Sequence, residues 1–367
     1  MASNVARRPF AVIGENIHAT RTVKRDGQHM RRDGEGREFV AFADVAGMLR
    51  TMPLAAPIVA GSELAAGKVK HIRNALLLGL GGDRAAPVAI TGPVSPEDGR
   101  DGRDYLVAAA RRQEAAGADY LDVNVDELAG DEAIRVEAIA WLVRLLEPVT
   151  NVPLSLDSSS TAVLEAGLRA STRPHGALLV NSASLERLDV LELAAEHGSP
   201  LVLGAAGEAS LPETGDERLA NARRILAAAS AAGLPQERLH VDLLVLPVGV
   251  DPNAGFEYLE AARRLRVEQD PRIRITGGLS NVSFGLPNRR LLNDVFVAIA
   301  IDSGVDSGIV DPIATNLGRI AAMDRASRSF RVAADVLNGN DAYAIEYLTA
   351  FRAGELEEPG PRAVSPR

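Results

Sequence analysis

Apolar and polar positions alternate on two length scales along this chain. From about residue 118 onward, short runs rich in Val, Ile and Leu are separated by stretches with the period of amphipathic helices. The short runs are almost continuously apolar, which is typical of strands buried on both faces of a parallel sheet. With a similar run near the N-terminus, the predicted strands cover residues 10–17, 118–125, 153–158, 177–182, 200–205, 239–245, 272–279 and 307–310.

The stretches between these runs predict helices. Alternation of strand and helix is typical of βαβ units, and eight strands favour a closed (β/α)8 barrel over an open doubly wound sheet. No Gly-x-Gly-x-x-Gly follows the first predicted strand, which argues against a dinucleotide-binding fold. The predicted helices cover residues 105–114, 132–146, 162–170, 217–232, 258–266 and 289–301.

Two regions fall outside the barrel pattern. Residues 19–100 form a long insertion after the first strand, opening with a charged loop over 21–37 and continuing into a predicted helix over 64–80. We expect the insertion at the mouth of the barrel, either as a lid or partner-docking element or as extra packing without a chemical role. Residues 354–367 are rich in Pro, Glu and Gly and are predicted to be disordered. The barrel domain is therefore predicted to span residues 1–353.

Composition excludes several classes of protein. Forty Lys and Arg against 49 Asp and Glu give a net charge of −9, which argues against nucleic-acid binding. The absence of cysteine excludes thiolate nucleophiles, Cys-ligated zinc and Cys-held iron–sulfur clusters. No apolar run approaches the roughly 20 residues that span a bilayer. We therefore expect a cytoplasmic protein that binds neither nucleic acid nor membrane.

Polar side chains stand where the apolar strands stop, which is where barrel enzymes carry their active residues. Any one of them can instead be a helix N-cap, as Asp157 before three serines suggests. Besides these residues, only one histidine, His18, lies at a strand end, so the set suits a flat hydrogen-bonding heterocycle better than a transition metal. We expect no bound metal. The polar strand ends are Glu15, Asn16, Asp122, Asn124, Asp126, Asp157, Asn181, Asp242, Asn281 and Asp311.

Five sequence elements in order resemble the methyltetrahydrofolate:corrinoid methyltransferases, pterin-binding barrel enzymes related to dihydropteroate synthase. The most specific is Gly-Leu-Ser-Asn-Val-Ser-Phe-Gly-Leu-Pro-Asn-Arg over 278–289. The others are Leu-Asp-Val-Asn-Val at 121–125, Leu-Asp-Ser at 156–158, Val-Asn-Ser at 180–182 and Val-Asp at 241–242. The resemblance covers the first strand and residues 104 to about 320.

The resemblance implies a role for each matching residue. Asp157, Asn181 and Asp242 match the residues that hydrogen-bond the pterin ring, and Asn281 matches the one that engages N5 of the folate. Arg289 belongs to the matching Asn-Arg pair; it either reaches the folate or supports the start of a helix. We add the strand-end residues Glu15, Asp122 and Asn124 to the predicted folate-binding set.

The implied reaction moves a methyl group between N5 of tetrahydrofolate and the cobalt of a corrinoid. A tertiary amine leaves poorly, so a donor that strengthens its contact with N5 in the transition state lowers the barrier. Methylation of a thiol usually needs a zinc–thiolate site, which a chain without cysteine cannot build. No Asp-x-His-x-x-Gly signature for corrinoid binding is present. We therefore expect the corrinoid on a partner protein, folate as substrate and, from the resemblance, a homodimer.

Alternatives to this reaction remain. The family commonly has Gly-Glu-Arg-x-Asn where this chain has Gly-Glu-Asn-Ile-His at 14–18. A dihydropteroate synthase-like condensing enzyme would show Asp-Ile-Gly-Gly-Glu-Ser-Thr-Arg-Pro-Gly near the second strand and a late Ser-Arg-Lys, and both are missing. A non-catalytic pterin-binding or corrinoid-partner scaffold need not keep Asn281. A barrel aldolase needs a lysine on a strand, whereas all three lysines fall in the insertion.

Overall fold

A computed structural model describes residues 8–83 and 90–356. They fall into two compact units. The first unit runs from Gly14 to Asn181, and the second unit combines the residues up to Ile13 with those from Ser182 onward. Of the tail predicted to be disordered, residues 357–367 lie outside the described part of the chain.

All eight predicted strands are confirmed. They form one eight-stranded sheet in the order β7-β6-β5-β4-β3-β2-β1-β8, so the predicted (β/α)8 barrel class is confirmed. At the two ends of this order, in the second unit, Ile309 N–H donates to Gly277 O at 2.9 Å, and Gly278 forms a parallel bridge with Ile309. The strands are β1 (Ala11–His18), β2 (Tyr120–Asn124), β3 (Leu154–Asp157), β4 (Leu179–Ala183), β5 (Leu201–Gly204), β6 (Leu239–Asp242), β7 (Arg274–Thr276) and β8 (Ser307–Val310).

Helices follow the strands, as the periodicity predicts. The six predicted helices are present and mostly longer than predicted. The sequence did not predict the helix between β4 and β5 or the three helices that follow β8. The helices are α1 (Pro96–Ala115), α2 (Glu132–Leu146), α3 (Thr161–Ala170), α4 (Asp189–His197), α5 (Gly215–Ala231), α6 (Ala254–Glu268), α7 (Arg289–Asp302), α8 (Leu317–Ala321), α9 (Arg328–Leu337) and α10 (Ile345–Arg352). No helix in the described ranges is both long and apolar enough to cross a membrane.

The insertion is more ordered than its sequence predicts. The segment 21–37, predicted as a loop, contains two short strands, and the predicted helix over 64–80 begins only at residue 71. Gly67 adopts a left-handed φ of 76°, and the fully buried Val69 then pairs with Val23 in an antiparallel ladder, so a strand replaces the predicted first helical turn. The insertion elements are the strands Thr22–Lys24, Met30–Arg32, Glu38–Ala43, Leu49–Pro53 and Lys68–Lys70, and the helices Ala56–Val59, Ser62–Ala65 and His71–Asp83.

Candidate active site

Three predicted site residues of the first unit stand in one row across adjacent strands. Asn124 on β2 is the register partner of Asp157 on β3, which is in turn the partner of Asn181 on β4. Because register partners on neighbouring strands project to the same face of a sheet, their side chains come together. The pairing of the strands thus places Asp157 between two residues that are 33 and 24 positions away in sequence.

Asp157 is held by one carboxylate oxygen and leaves the other free. Asn124 Nδ2 donates to Asp157 Oδ2 at 3.0 Å, and His18 Nε2 lies 3.5 Å from the same oxygen. Asp157 Oδ1 has no hydrogen-bond partner among residues 8–83 and 90–356, and 28% of the side chain is exposed. The N-cap of α3 is Ser160, whose side chain accepts a hydrogen bond from Val163 N–H. Asp157 therefore does not cap this helix.

His18 contributes a contact that the sequence did not assign to it. Thr20 N–H donates to His18 Nδ1 at 3.3 Å, and Thr20 Oγ1 is 2.7 Å from the same nitrogen. A backbone N–H can only donate, so Nδ1 is the acceptor and Nε2 carries the proton in the neutral ring. That proton faces Asp157. The only signal in the sequence was that His18 is the sole histidine at a strand end.

Asp122 lies beneath this row and is 2% exposed. Ser155 Oγ donates to Asp122 Oδ1 at 2.6 Å, and Asn181 Nδ2 lies 3.5 Å from the same oxygen. Burial, with the nearby charge of Asp157, raises the pKa of Asp122 well above its ordinary value of 3.8. Asp122 therefore anchors the amide nitrogen of Asn181 and leaves Asn181 Oδ1 available as an acceptor.

Asn124 has no free amide atom. Besides donating to Asp157, its Oδ1 accepts a hydrogen bond from Asp126 N–H at 2.9 Å. Asp126 in turn accepts from Ser158 Oγ at 2.6 Å and from Ser159 N–H at 2.8 Å. Asn124 and Asp126, both named from the sequence, thus tie the loop after β2 to the loop after β3.

Glu15 sits on β1 and faces a cation of the insertion. Arg21 Nη1 lies 3.4 Å from Glu15 Oε1, and Arg21 also contacts Asn16 Oδ1. Asn16 N–H donates to the buried side chain of Gln113 at 2.9 Å. The Glu15 side chain is half-buried, and Arg21 balances its charge.

In the second unit, Asp242 ends β6 with one oxygen engaged. Leu244 N–H donates to Asp242 Oδ1 at 2.7 Å, and Oδ2 accepts no hydrogen bond from the described residues. Burial raises the pKa of Asp242 from 3.8 to about 6, against the lowering effects of the Leu244 N–H and of Arg218. Leu244 holds a left-handed φ of 62°, a strained geometry for a residue with a Cβ.

Arg218 of α5 supports this turn and was not predicted. It is completely buried, yet its guanidinium donates only to backbone carbonyls: Leu243 O at 3.0 Å, Leu244 O at 3.4 Å and Glu213 O at 2.8 Å. A buried arginine normally needs such a full set of partners. The clamp fixes the loop whose N–H orients Asp242.

Asn281 lies in the turn Leu279–Ser283 that follows β7 and is half-buried. Its side-chain amide makes no hydrogen bond with any residue in the described ranges, so both donor and acceptor are available. Arg289 folds back onto the same turn, donating to Ser280 O at 2.9 Å and Ser283 Oγ at 3.0 Å. These contacts give Arg289 a supporting role for the turn that bears Asn281.

The free atoms define what each unit offers a ligand. The first unit presents acceptor oxygens of Asp157 and Asn181, and the second unit an oxygen of Asp242 and the amide of Asn281. Carboxylate and amide oxygens can accept from the N–H groups of a heterocycle, and an amide N–H can donate to its carbonyl or ring nitrogen. Within the ranges that the structure describes, no group of three or more His, Asp or Glu side chains is placed to hold a metal ion.

Sequence comparison finds relatives with known names. The family described as "Pterin binding enzyme" matches residues 98–311. The chain is 31% identical over 261 residues to the methylcorrinoid:tetrahydrofolate methyltransferase of Eubacterium limosum, a match covering 69% of this chain and 88% of that protein. It is also 31% identical over 216 residues to methionine synthase of Mycobacterium tuberculosis, covering 55% of this chain but only 18% of that longer protein.

Solved structures of dihydropteroate synthases are also similar to this chain. The enzyme of Stenotrophomonas maltophilia, with imidazole bound in its active site, is 20% identical with a TM-score of 0.49, covering 60% of this chain and 87% of that one. The Xanthomonas albilineans enzyme in complex with 7,8-dihydropteroate is 22% identical with a TM-score of 0.47, covering 60% and 84%.

Proposed function

Because the chain belongs to the pterin-binding enzyme family, we propose that it is a methyltransferase acting between N5 of tetrahydrofolate and the cobalt of a protein-bound corrinoid. The family match confirms the resemblance drawn from the sequence motifs. The reaction itself is inferred from the name of the Eubacterium limosum relative, which this chain matches over most of its length.

The observation that carries the proposal is the unengaged amide of Asn281. A side chain that served only to stabilise its own turn would use its amide within the protein, as Asn124 does. A free Nδ2 in a turn braced by Arg289 is instead a preorganised donor for the folate nitrogen that loses the methyl group. The Asn281 contact would strengthen as N5 gains electron density, which lowers the barrier selectively.

The remaining predicted residues would bind and orient the pterin. The free oxygens of Asp157 and Asp242 suit the N–H donors of its amidine-like edge, and Asn181 Oδ1 suits another ring N–H. The corrinoid, when presented by its carrier, supplies a strongly nucleophilic Co(I) that exchanges the methyl group. The carrier protein and the homodimer both stay predictions.

The test is an anaerobic transfer assay. Purified protein is mixed with methyltetrahydrofolate and free cob(I)alamin, and loss of the Co(I) absorption band is followed. We expect transfer by the native chain and a loss of about 10²–10³ in rate for Asn281→Ala, as for removal of one preorganised donor. Asn340→Ala, which removes an exposed asparagine of the second unit, is the matched control and should transfer at the native rate.

Three results would contradict the proposal. Transfer by Asn281→Ala at the native rate would remove Asn281 from the mechanism. Failure of the native chain to bind methyltetrahydrofolate in calorimetric titration would remove the pterin assignment. Binding without transfer to free cobalamin is resolved by adding a corrinoid carrier protein; no transfer then would favour a non-catalytic pterin-binding scaffold.

A further inference from the structure

All three lysines of this 367-residue chain lie in the insertion, at positions 24, 68 and 70. Residues 19–100, the insertion as a whole, carry 12 Lys and Arg against nine Asp and Glu, although the whole chain has a net charge of −9. The insertion is therefore a basic segment in an acidic protein. Such a reversal of charge attracts an anionic ligand to that segment.

Two of the lysines are directly opposed. Lys24 and Lys68 are register partners in the antiparallel pair Thr22–Lys24 and Lys68–Lys70, and both are exposed. Like charges in this arrangement are destabilising. Neither ammonium has a carboxylate partner in the part of the chain that the structure describes, whereas Lys70 contacts Glu63 at 2.6 Å and Glu127 at 2.8 Å. An anion between Lys24 and Lys68 would relieve their repulsion.

The two ammoniums line a groove of about 910 Å³, which we call the basic groove. Arg25 and Arg32, also in its wall, share one carboxylate, Glu38, at 2.8 and 2.6 Å. Arg31 is exposed and donates to backbone carbonyls. The charged residues lining the groove are Lys24, Arg25, Arg31, Arg32 and Lys68, against Asp26 and Glu38. The surplus of positive charge suits a ligand with several carboxylates.

The basic groove is tied to the predicted folate-binding residues of the first unit. Lys24 follows His18 by six residues, so the backbones of these two residues are at most about 20 Å apart. Lys70, on the strand that carries Lys68, contacts Glu127 in the loop after β2, next to Asp126. Arg21, two residues before Val23, contacts Glu15 on β1. The two strands that carry Lys24 and Lys68 are therefore held to β1 and to the loop after β2.

Resting on the proposed function, we propose that the basic groove binds the carboxylates of a poly-γ-glutamate tail on the folate. A flexible tail with one free carboxylate per added glutamate can place successive charges against successive cations of a groove. The substrate class would then be polyglutamyl methyltetrahydrofolate rather than the monoglutamate. This choice deepens the proposed function by assigning a role to the insertion.

The test compares two folates by calorimetric titration at low salt. Monoglutamyl and pentaglutamyl methyltetrahydrofolate are each titrated into the native chain and into Lys24→Glu/Lys68→Glu. We expect the native chain to bind the pentaglutamate at least about fivefold more tightly, since exposed ion pairs are individually weak but several act together. The advantage should shrink at high salt and vanish in the double variant, with Lys24→Gln/Lys68→Gln intermediate.

A matched control separates the groove from general charge. Arg331→Glu/Arg352→Glu changes the net charge equally on exposed helix positions of the second unit and should keep the pentaglutamate advantage. Equal affinity of the native chain for the two folates, or an advantage that survives in Lys24→Glu/Lys68→Glu, would overturn the inference alone. If Lys24→Glu/Lys68→Glu lost binding to a corrinoid carrier protein while the native chain showed no effect of tail length, the inference would likewise be overturned. The groove would then bind an acidic surface of the carrier. Failure of the native chain to bind either folate would overturn the proposed function together with it.

Discussion

His18 Nε2 lies 3.5 Å from Asp157 Oδ2, the oxygen that Asn124 already engages at 3.0 Å. Asn124 Nδ2 donates a hydrogen bond to this oxygen and the Nε2–H of His18 faces it, so both groups favour one orientation of the carboxylate. The family that the sequence resembles commonly has asparagine at the position of His18, so a histidine here replaces one N–H donor with another. We therefore predict that His18 positions Asp157.

Replacing His18 tests this role. His18→Leu should weaken methyltetrahydrofolate binding about five- to tenfold, because the polar N–H that faces Asp157 Oδ2 is lost. The transfer rate of bound folate should change little, since Asn281, and not His18, is the residue proposed to contact N5. His18→Asn should restore the affinity to within about threefold. Equilibrium titration and single-turnover kinetics separate the two effects, and equal loss in His18→Asn and His18→Leu would contradict the positioning role.

Asp242 should make stability depend on pH. Its pKa is about 6 in the folded protein against an ordinary 3.8, so the folded state holds this proton more tightly than the unfolded state. The free energy of unfolding therefore falls as the pH rises from about 4 to 6, and the cost is constant above that range. Asp242→Asn should be more stable than the native chain at pH 7.5 by about 2 to 3 kcal/mol, with the difference closing at pH 4.

Urea denaturation at pH 4 and 7.5 measures that difference. Asp216→Asn removes a largely exposed carboxylate of the same unit and serves as the control. It should shift the free energy of unfolding by less than about 0.5 kcal/mol at either pH. A difference between Asp242→Asn and the native chain that is the same at both pH values would refute the assignment of a raised pKa.

Arg218 should be indispensable for the loop after β6. Arg218→Met keeps most of the buried volume but leaves the carbonyls of Leu243 and Glu213 without their donor. Loss of these buried hydrogen bonds should cost about 2 to 4 kcal/mol of unfolding free energy. Arg224→Met, on the exposed side of the same helix, should cost less than about 1 kcal/mol. If chemical denaturation gave the same loss of unfolding free energy for both variants, the hydrogen bonds of Arg218 to the backbone carbonyls would not contribute to stability.

Gly102 lies where α1 packs against the insertion helix His71–Asp83. A Cβ added at Gly102 would stand 2.7 Å from both Ala75 O and Gly79 N, backbone atoms that cannot move aside alone. Although Gly→Ala inside a helix usually stabilises by about 1 kcal/mol, Gly102→Ala should destabilise by about 1 to 3 kcal/mol. Gly130→Ala, with no atom within 4 Å of its added Cβ, is the control. A rise in the melting temperature of Gly102→Ala would disprove this close packing.

The sequence predicted the parts of the fold that repeat. A local apolar run marks each barrel strand, and the polar positions in or just after these runs gave Asp157, Asn181, Asp242 and Asn281 as candidate site residues. It did not predict the strand around Val69, whose partner Val23 lies 46 residues away. Pairing of that kind depends on a distant segment and leaves no local period.

The sequence also did not predict the residues that support the site residues. Arg218 looks like any helix arginine in sequence, because its partners are backbone carbonyls and leave no residue-type signature. The contact of His18 with Asp157 joins the first and third strands, so it follows only from their place in the sheet. By contrast, the row of Asn124, Asp157 and Asn181 was implied once parallel strands were recognised.

The bond from Ile309 N–H to Gly277 O joins β8 to the residue just after β7, four positions before Asn281. Amide hydrogens exchange with solvent only when such a bond opens. The exchange rate of the Ile309 amide hydrogen therefore measures how often the hydrogen bond to Gly277, in the backbone that leads into the Asn281 turn, opens. A folate that contacts that turn should lower the exchange rate of the Ile309 amide hydrogen, and a folate that does not contact it should leave the rate unchanged.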